Sequence, residues 1–182
     1  MMMRRVLVAA LLFSGGAIAP ALAQDAASER VAAAHSRIDW SGLYVGASPA
    51  YLNAGGSGNV AGSLFTGYNF EAGPAIAGIE SGVTLTDVTP SPGQRLNSVV
   101  DLRGRLGVSF DNIHLYGTAG AAWAPDSAKW DSGFAAGAGV EGAFTQKTFW
   151  GLQYVRYTFR NFRNTGNTLE VDLVSGRVSY KF

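Results

Sequence analysis

The sequence predicts an all-β chain, an eight-stranded antiparallel up-and-down barrel that crosses a membrane with its strands. Three observations carry that expectation. From Trp40 onward the chain falls into eight runs of alternating character, the period of two that a strand imposes on its faces. The charges within those runs keep almost entirely to one parity. Short and longer polar connections separate the runs by turns, as in a barrel with tight turns at one rim and loops at the other.

Before the first strand come two segments of different character. Met1 to Arg5 holds two arginines, Val6 to Ala19 is mostly apolar, and Ala21, Leu22 and Ala23 precede Gln24. A basic start, a short apolar stretch and a small-residue cleavage site make residues 1–23 a cleavable signal peptide; broken by Ser14, Gly15 and Gly16, the stretch is too short for a membrane helix. Residues 24–38, alanine-rich and polar with no aromatic, read as a flexible periplasmic leader. The barrel domain then occupies residues 39–182.

Within it, strands are expected at about Trp40 to Tyr51, Val60 to Phe70, Ala75 to Leu85, Asn97 to Phe110, Ile113 to Trp123, Ser132 to Phe144, Thr148 to Phe159 and Leu169 to Phe182. Glu71 to Pro74, Asp111-Asn112 and Thr145 to Lys147 are short separators, while 52–59, 86–96, 124–131 and 160–168 are longer. The short turns belong on the periplasmic side and the longer loops outside. Tyr68, Phe70, Phe110, Phe144, Phe149 and Trp150 flank the short turns. With Tyr180 and Phe182 they form a candidate aromatic girdle at the periplasmic rim.

Facing follows from parity. In the fourth strand Val100, Leu102, Gly104, Leu106, Val108 and Phe110 alternate with Asp101, Arg103, Arg105 and Ser109. An arginine facing lipid at mid-membrane costs roughly 2–4 kcal/mol, so the charged parity must face the lumen. The same reading places Glu80, Glu141, Arg177 and Lys181 inside. Eight strands enclose a space that side chains can fill, so these seven residues form a mixed-sign lumen network in which three acids and four bases satisfy one another. In the seventh strand Trp150, Leu152 and Tyr154 point outward and carry Arg156 with them. Arg156 then either lies near the external rim or follows a bulge that changes parity.

Several stretches resemble a known family. Asp39-Trp40-Ser41-Gly42-Leu43-Tyr44-Val45-Gly46, Gly67-Tyr68-Asn69-Phe70, Gly78-Ile79-Glu80, Gly137-Ala138-Gly139-Val140-Glu141 and Tyr180-Lys181-Phe182 are similar to the porin-family small outer-membrane β-barrels, which include the outer membrane immunogenic and opacity or adhesin-type barrels of Gram-negative bacteria. The resemblance implies a Gram-negative outer-membrane location and contact with outer-membrane lipid and lipopolysaccharide. It also implies that Tyr180 and Phe182 belong to a C-terminal signal read by the barrel-assembly machinery, with Arg177 where that signal usually has glycine.

Other classes find little support. Once residues 1–23 are removed, Arg4 and Arg5 go with them and leave 12 basic and 13 acidic residues; the bases are scattered singly, so nucleic acid is not an expected partner. The chain has no cysteine, which rules out disulfides and thiolate chemistry. No cofactor is expected, nor a metal, with two histidines far apart in sequence. A lipid A-modifying enzyme would need a serine activated by a histidine near the external leaflet. His35 lies in the leader, however, and His114 follows the Asp111-Asn112 turn, where it reads as a solvated residue at the periplasmic mouth. What remains is a barrel with a role in envelope integrity and surface contact, plugged by its own charges. The alternatives are a surface barrel that binds an adhesion target or other ligand, and after it a narrow ion pore. Arg95, Lys129, Arg160 and Arg163 in the expected external loops could meet lipopolysaccharide phosphates or simply be solvated.

Overall fold

The computed structural model describes residues 37–91, 94–125, 130–162 and 166–182. The expected signal peptide and the leader up to Ser36 lie outside the described residues. The strands are β1 (Gly42–Ala54), β2 (Ser57–Ala72), β3 (Ala75–Ser91), β4 (Gln94–Phe110), β5 (Ile113–Pro125), β6 (Trp130–Ala143), β7 (Thr148–Phe159) and β8 (Leu169–Lys181). Each pairs antiparallel with the next, and β8 returns to β1 to close the barrel. Closure leaves no sheet edge within the bilayer, the condition for a strand-built membrane crossing.

The outward parity is apolar, with Leu64, Ile79, Leu106, Phe134, Leu152 and Val178 all exposed. So much exposed apolar side chain would be an aggregation hazard in water and is the expected surface in lipid. In β7, Arg156 faces outward and the β7–β8 register runs without interruption, so the bulge alternative falls. Arg156 instead pairs across the strands with Asp172 at 2.7 Å, and the Tyr154 hydroxyl donates to the same carboxylate at 2.5 Å. An outward charge is tolerable because it carries its counter-ion with it.

Several expectations are corrected. Residues 52–59, 86–96 and 124–131 read as loops, yet strands reach far into all three. β1 and β2 are joined only by Gly55 and Gly56, both at positive φ (58° and 85°), which suits a tight hairpin. Alternation faded there because the inner parity changes character. Leu52, Ala54, Val88, Leu96, Val99, Ala122, Val155, Tyr157, Phe159 and Leu173 pack as one apolar cluster inside the external half of the barrel. Where both faces are apolar or small, period two disappears from the sequence although the ladder continues.

The start of the first strand is also displaced. Trp40 does not belong to β1; it folds into the periplasmic mouth and packs against Ile76 and Phe149, with Ile38 beside it. Gly42, at φ 120°, makes the corner between this cap and the strand, a conformation that L side chains rarely adopt. Arg37 and Ile38, expected in the leader, therefore pack with the barrel. Arg37 reaches Glu71 at 2.8 Å, and the Trp40 amide donates to the same carboxylate at 2.8 Å.

Candidate functional site

Glu80 is the hub of the interior, with no measurable exposure. The β3–β4 register sets Arg103 directly across from it, and Arg103 Nη2 lies 2.8 Å from Glu80 Oε1. Arg177 donates to both Glu80 oxygens, Arg105 Nη1 approaches at 3.3 Å, and the Tyr44 hydroxyl donates at 2.9 Å. One carboxylate thus faces three guanidiniums, so its charge is only part of what they require.

Two further acids complete the balance. Glu141 lies 2.8 Å from Arg105 Nη2 and 3.3 Å from Arg177 Nε, towards the periplasm. Asp101 lies on the other side, 2.8 Å from Arg103 Nε, and accepts from Tyr157 at 2.9 Å. Gln153 accepts from Arg177 at 2.8 Å and donates to Tyr116 at 3.1 Å. Three buried acids therefore meet three buried arginines. Lys181, also read as part of this network, is buried too but turns to the rim, where it pairs with Asp39 at 3.0 Å.

Aromatic faces and glycines make the cluster possible. Arg105 lies 3.9 Å from the Tyr116 ring centroid and Arg177 3.8 Å from that of Phe65, so each cation is covered by a π face as well as by acids. A Cβ at Gly46 would come within 2.3 Å of the Phe65 ring, and one at Gly67 within 2.4 Å of the Tyr44 hydroxyl. These inward glycines are space for their neighbours' rings.

Counting along β3 and β4 from their two short turns would set Glu80 level with Arg105, and the two do meet, at 3.3 Å. The register instead sets Ala75 level with Val108, two residues short of Phe110, the stagger that strand tilt imposes on a barrel. Tyr44, Tyr116 and Tyr157 went unnoticed, although they lie on the inward parity and their hydroxyls complete the network. His114 corrects a reading outright. It is fully buried, stacked near Trp40 and Tyr116, with Nδ1 3.5 Å from Glu141. The cap removes it from solvent at the mouth.

At the periplasmic rim, Tyr68, Phe70, Phe110, Phe144, Trp150, Tyr180 and Phe182 all point outward and are exposed. Phe149 does not, being 5% exposed and packed 4.9 Å from Trp40. It neighbours Trp150 on one strand, and adjacent strand residues cannot share a face. Of the external cations, Arg95 pairs with Asp87 at 2.6 Å and Arg160 is exposed; Lys129 and Arg163 lie outside the described residues.

Asp39 and Lys181 tie the cap to the last strand. The Ser41 hydroxyl holds the Asp39 carboxyl down at about 2, opposed by partial burial and helped by Lys181. A lowered pKa contributes stability above the ordinary value of 3.8 that is lost as pH falls through about 2. Asp39→Asn should therefore lower the urea midpoint at neutral pH, and its difference from the parent protein should close between about pH 4 and pH 2. A difference that persists unchanged in acid would assign the effect to the turn rather than the charge.

Tyr180 and Phe182 meet edge to face at 5.5 Å, and the Phe182 amide donates to the Leu43 carbonyl at 3.1 Å. Replacing both aromatics by Ser should block insertion and leave the chain to periplasmic proteases, as measured by surface labelling and fractionation. Normal surface exposure of that variant would contradict the role implied for the terminal aromatics.

A closed barrel with an apolar exterior and a charge-paired interior defines a membrane-spanning β-barrel. The chain belongs to the outer membrane protein β-barrel domain family, whose model matches residues 9–182. It is 34% identical over 136 residues to the 22 kDa outer membrane protein of Rhizobium leguminosarum bv. viciae, a match covering 65% of this chain and 64% of that relative's length. Its backbone is similar to that of Neisserial surface protein A (TM-score 0.55, 18% identity, 78% of this chain and 98% of that one). Ail, the attachment invasion locus protein of Yersinia pestis, solved with the heparin analogue sucrose octasulfate, is similar at TM-score 0.53 and 13% identity, with 78% and 97% covered. The protein is a small barrel of the Gram-negative outer membrane.

Proposed function

We propose that this barrel is a structural element of the outer membrane, its lumen plugged by its own side chains, and that it serves envelope integrity and contact at the cell surface. The observation that carries this reading is the buried balance of three acids and three arginines around Glu80. Opening a water path through it would mean separating these pairs and giving up an attraction that the low-dielectric interior makes strong. The apolar cluster above and the Trp40, Ile76 and Phe149 cluster below support the same conclusion. Barrel-assembly machinery and lipopolysaccharide are its expected contacts. Catalysis is no part of this reading.

One observation favours a second reading, a surface barrel that binds a ligand. β3 pairs with β2 as far as Leu85 and β4 pairs with β5 from Val100. Beyond these residues the β3–β4 ladder continues to Ser91 and Gln94, with Val88 and Leu96 turned in to the apolar cluster and the exposed Asp87–Arg95 pair on its other face. Cells lacking the chain distinguish the readings. The structural role predicts sensitivity to detergent with unchanged uptake of small hydrophilic solutes, restored by a chain lacking the hairpin tip. If the tip is needed for the phenotype, surface binding is the better account.

A further inference from the structure

Pro49 lies midway along β1, between two neighbouring strands, where a residue without an amide hydrogen costs the sheet a ladder bond. Towards β2 the ladder runs unbroken through Pro49 and Gly62. Towards β8 it does not. Ala47 pairs with Val178 and Ala50 with Ser175, but neither Ser48 nor Pro49 has a ladder partner there, although the register is the same on either side. The missing donor therefore faces β8, and the wall is interrupted along the seam where the last strand meets the first.

No other ladder has such a gap among the described residues. The β2–β3, β4–β5, β5–β6, β6–β7 and β7–β8 pairings run without interruption, and the shifts in β3–β4 lie beyond Leu85, near its hairpin. Pro90 and Pro125 fall at or next to the ends of β3 and β5. Nor is the gap covered from outside. In continuous register Gly176 stands across from Pro49 on β8 as Gly62 does on β2, and a Cβ at either glycine would meet nothing within 4 Å. The seam also joins the strands furthest apart in sequence, so its closure carries the largest loss of chain freedom.

What crosses the gap is a side chain in the lumen. Arg177, next to Gly176, is 4% exposed. Its guanidinium donates to both oxygens of Glu80 on β3 and lies 3.8 Å from the Phe65 ring centroid on β2. Both partners belong to strands beyond β1, so these contacts span the seam at the level where the backbone does not. On its own side of the seam the same group donates to Gln153 of β7 at 2.8 Å. Ser48 and Ser175, buried beside the break, are too short to reach so far.

We infer that the β1–β8 seam at Pro49 is the line along which this barrel opens first, and that Arg177 is the latch that holds it closed from within. Arg103 binds the same carboxylate at 2.8 Å, but β4 is paired without a break on both sides at that level, so Arg103 fastens no gap. The opening is local, because the ladder resumes from Ala50 to Ala54 and the Lys181–Asp39 pair closes the periplasmic end. This inference concerns the wall and is independent of whether the lumen conducts.

Amide exchange resolved by residue, followed by NMR on the purified barrel in detergent micelles, tests the latch. Backbone donors along a strand alternate between its two neighbours, so Ala47, Tyr51, Gly176 and Val178 report on the seam. Their amides should exchange faster in the parent than those of the β4–β5 ladder between Leu102 and Leu106. Pro49→Ala supplies the missing donor and should slow the seam amides about fivefold or more while leaving β4–β5 unchanged. Arg177→Gln should speed them about tenfold or more relative to β4–β5, whereas Arg103→Gln should not single out the seam. Pro49→Ala carries the test should Arg177→Gln fail to show heat-modifiable mobility. Uniform exchange in the parent, no slowing in Pro49→Ala, a rise in Arg177→Gln no greater at the seam than in β4–β5, or the same seam-selective rise in Arg103→Gln would each overturn the assignment.

Discussion

Glu80→Ala should unfold at a markedly lower urea concentration than the parent barrel, while Glu80→Ala combined with Arg177→Ala recovers most of the loss. The single change leaves Arg103, Arg105 and Arg177 facing only Glu141 and Asp101. An unmatched buried charge costs roughly 3–5 kcal/mol, whereas removing both partners of a buried pair is often near neutral. Arg177 is the partner to remove because it bonds both Glu80 oxygens. Arg105 is a poorer choice: it lies 3.3 Å from Glu80 and 2.8 Å from Glu141, so losing it would leave Glu141 only the longer contact to Arg177 at 3.3 Å. Additive losses in the double variant would mean that the charges are solvated and do not depend on one another.

The barrel was legible in the sequence where its two faces differ chemically. Arg103 and Arg105 alternate with Leu102 and Leu106, and that contrast identified inside, outside and the surrounding solvent together. The interior lost its signal where the contrast vanished. Val99 and Val100, or Leu173 and Val174, look alike in sequence, yet the first of each pair is buried inside and the second belongs to the outer face. Pairing was less legible than facing, because stagger is a property of the closed sheet and no local pattern records it. Trp40 and Phe149 were misplaced for a related reason. Both are aromatics near the periplasmic rim, where an interior plug and an outer girdle call for the same residue types.

Trp40→Ala should open the periplasmic end and destabilise the barrel together. Trp40 is 3% exposed and touches Phe149, Ile76 and His114. Truncating a buried tryptophan costs about 3–5 kcal/mol through lost contacts and the cavity left behind. It would also bring water to His114 and Glu141, which lie 3.5 Å apart beneath the cap. Lower urea resistance should therefore come with faster deuterium exchange of the β5 and β6 amides around His114 and Glu141, while amides around the external apolar cluster keep their protection. Loss of stability without that local change in exchange would make Trp40 a packing residue and not a seal.

The closed lumen is tested most directly by inserting the purified barrel into planar bilayers over a graded range of salt. The parent protein should give no steady conductance at any salt concentration, because the ion pairs around Glu80 are buried and screened little by added ions. Glu80→Ala with Arg177→Ala should remain as silent as the parent, since the apolar cluster from Leu52 to Leu173 still closes the external half. Stable channel openings in the parent, with a conductance that rises in proportion to salt, would show a continuous water path and contradict the plugged interior.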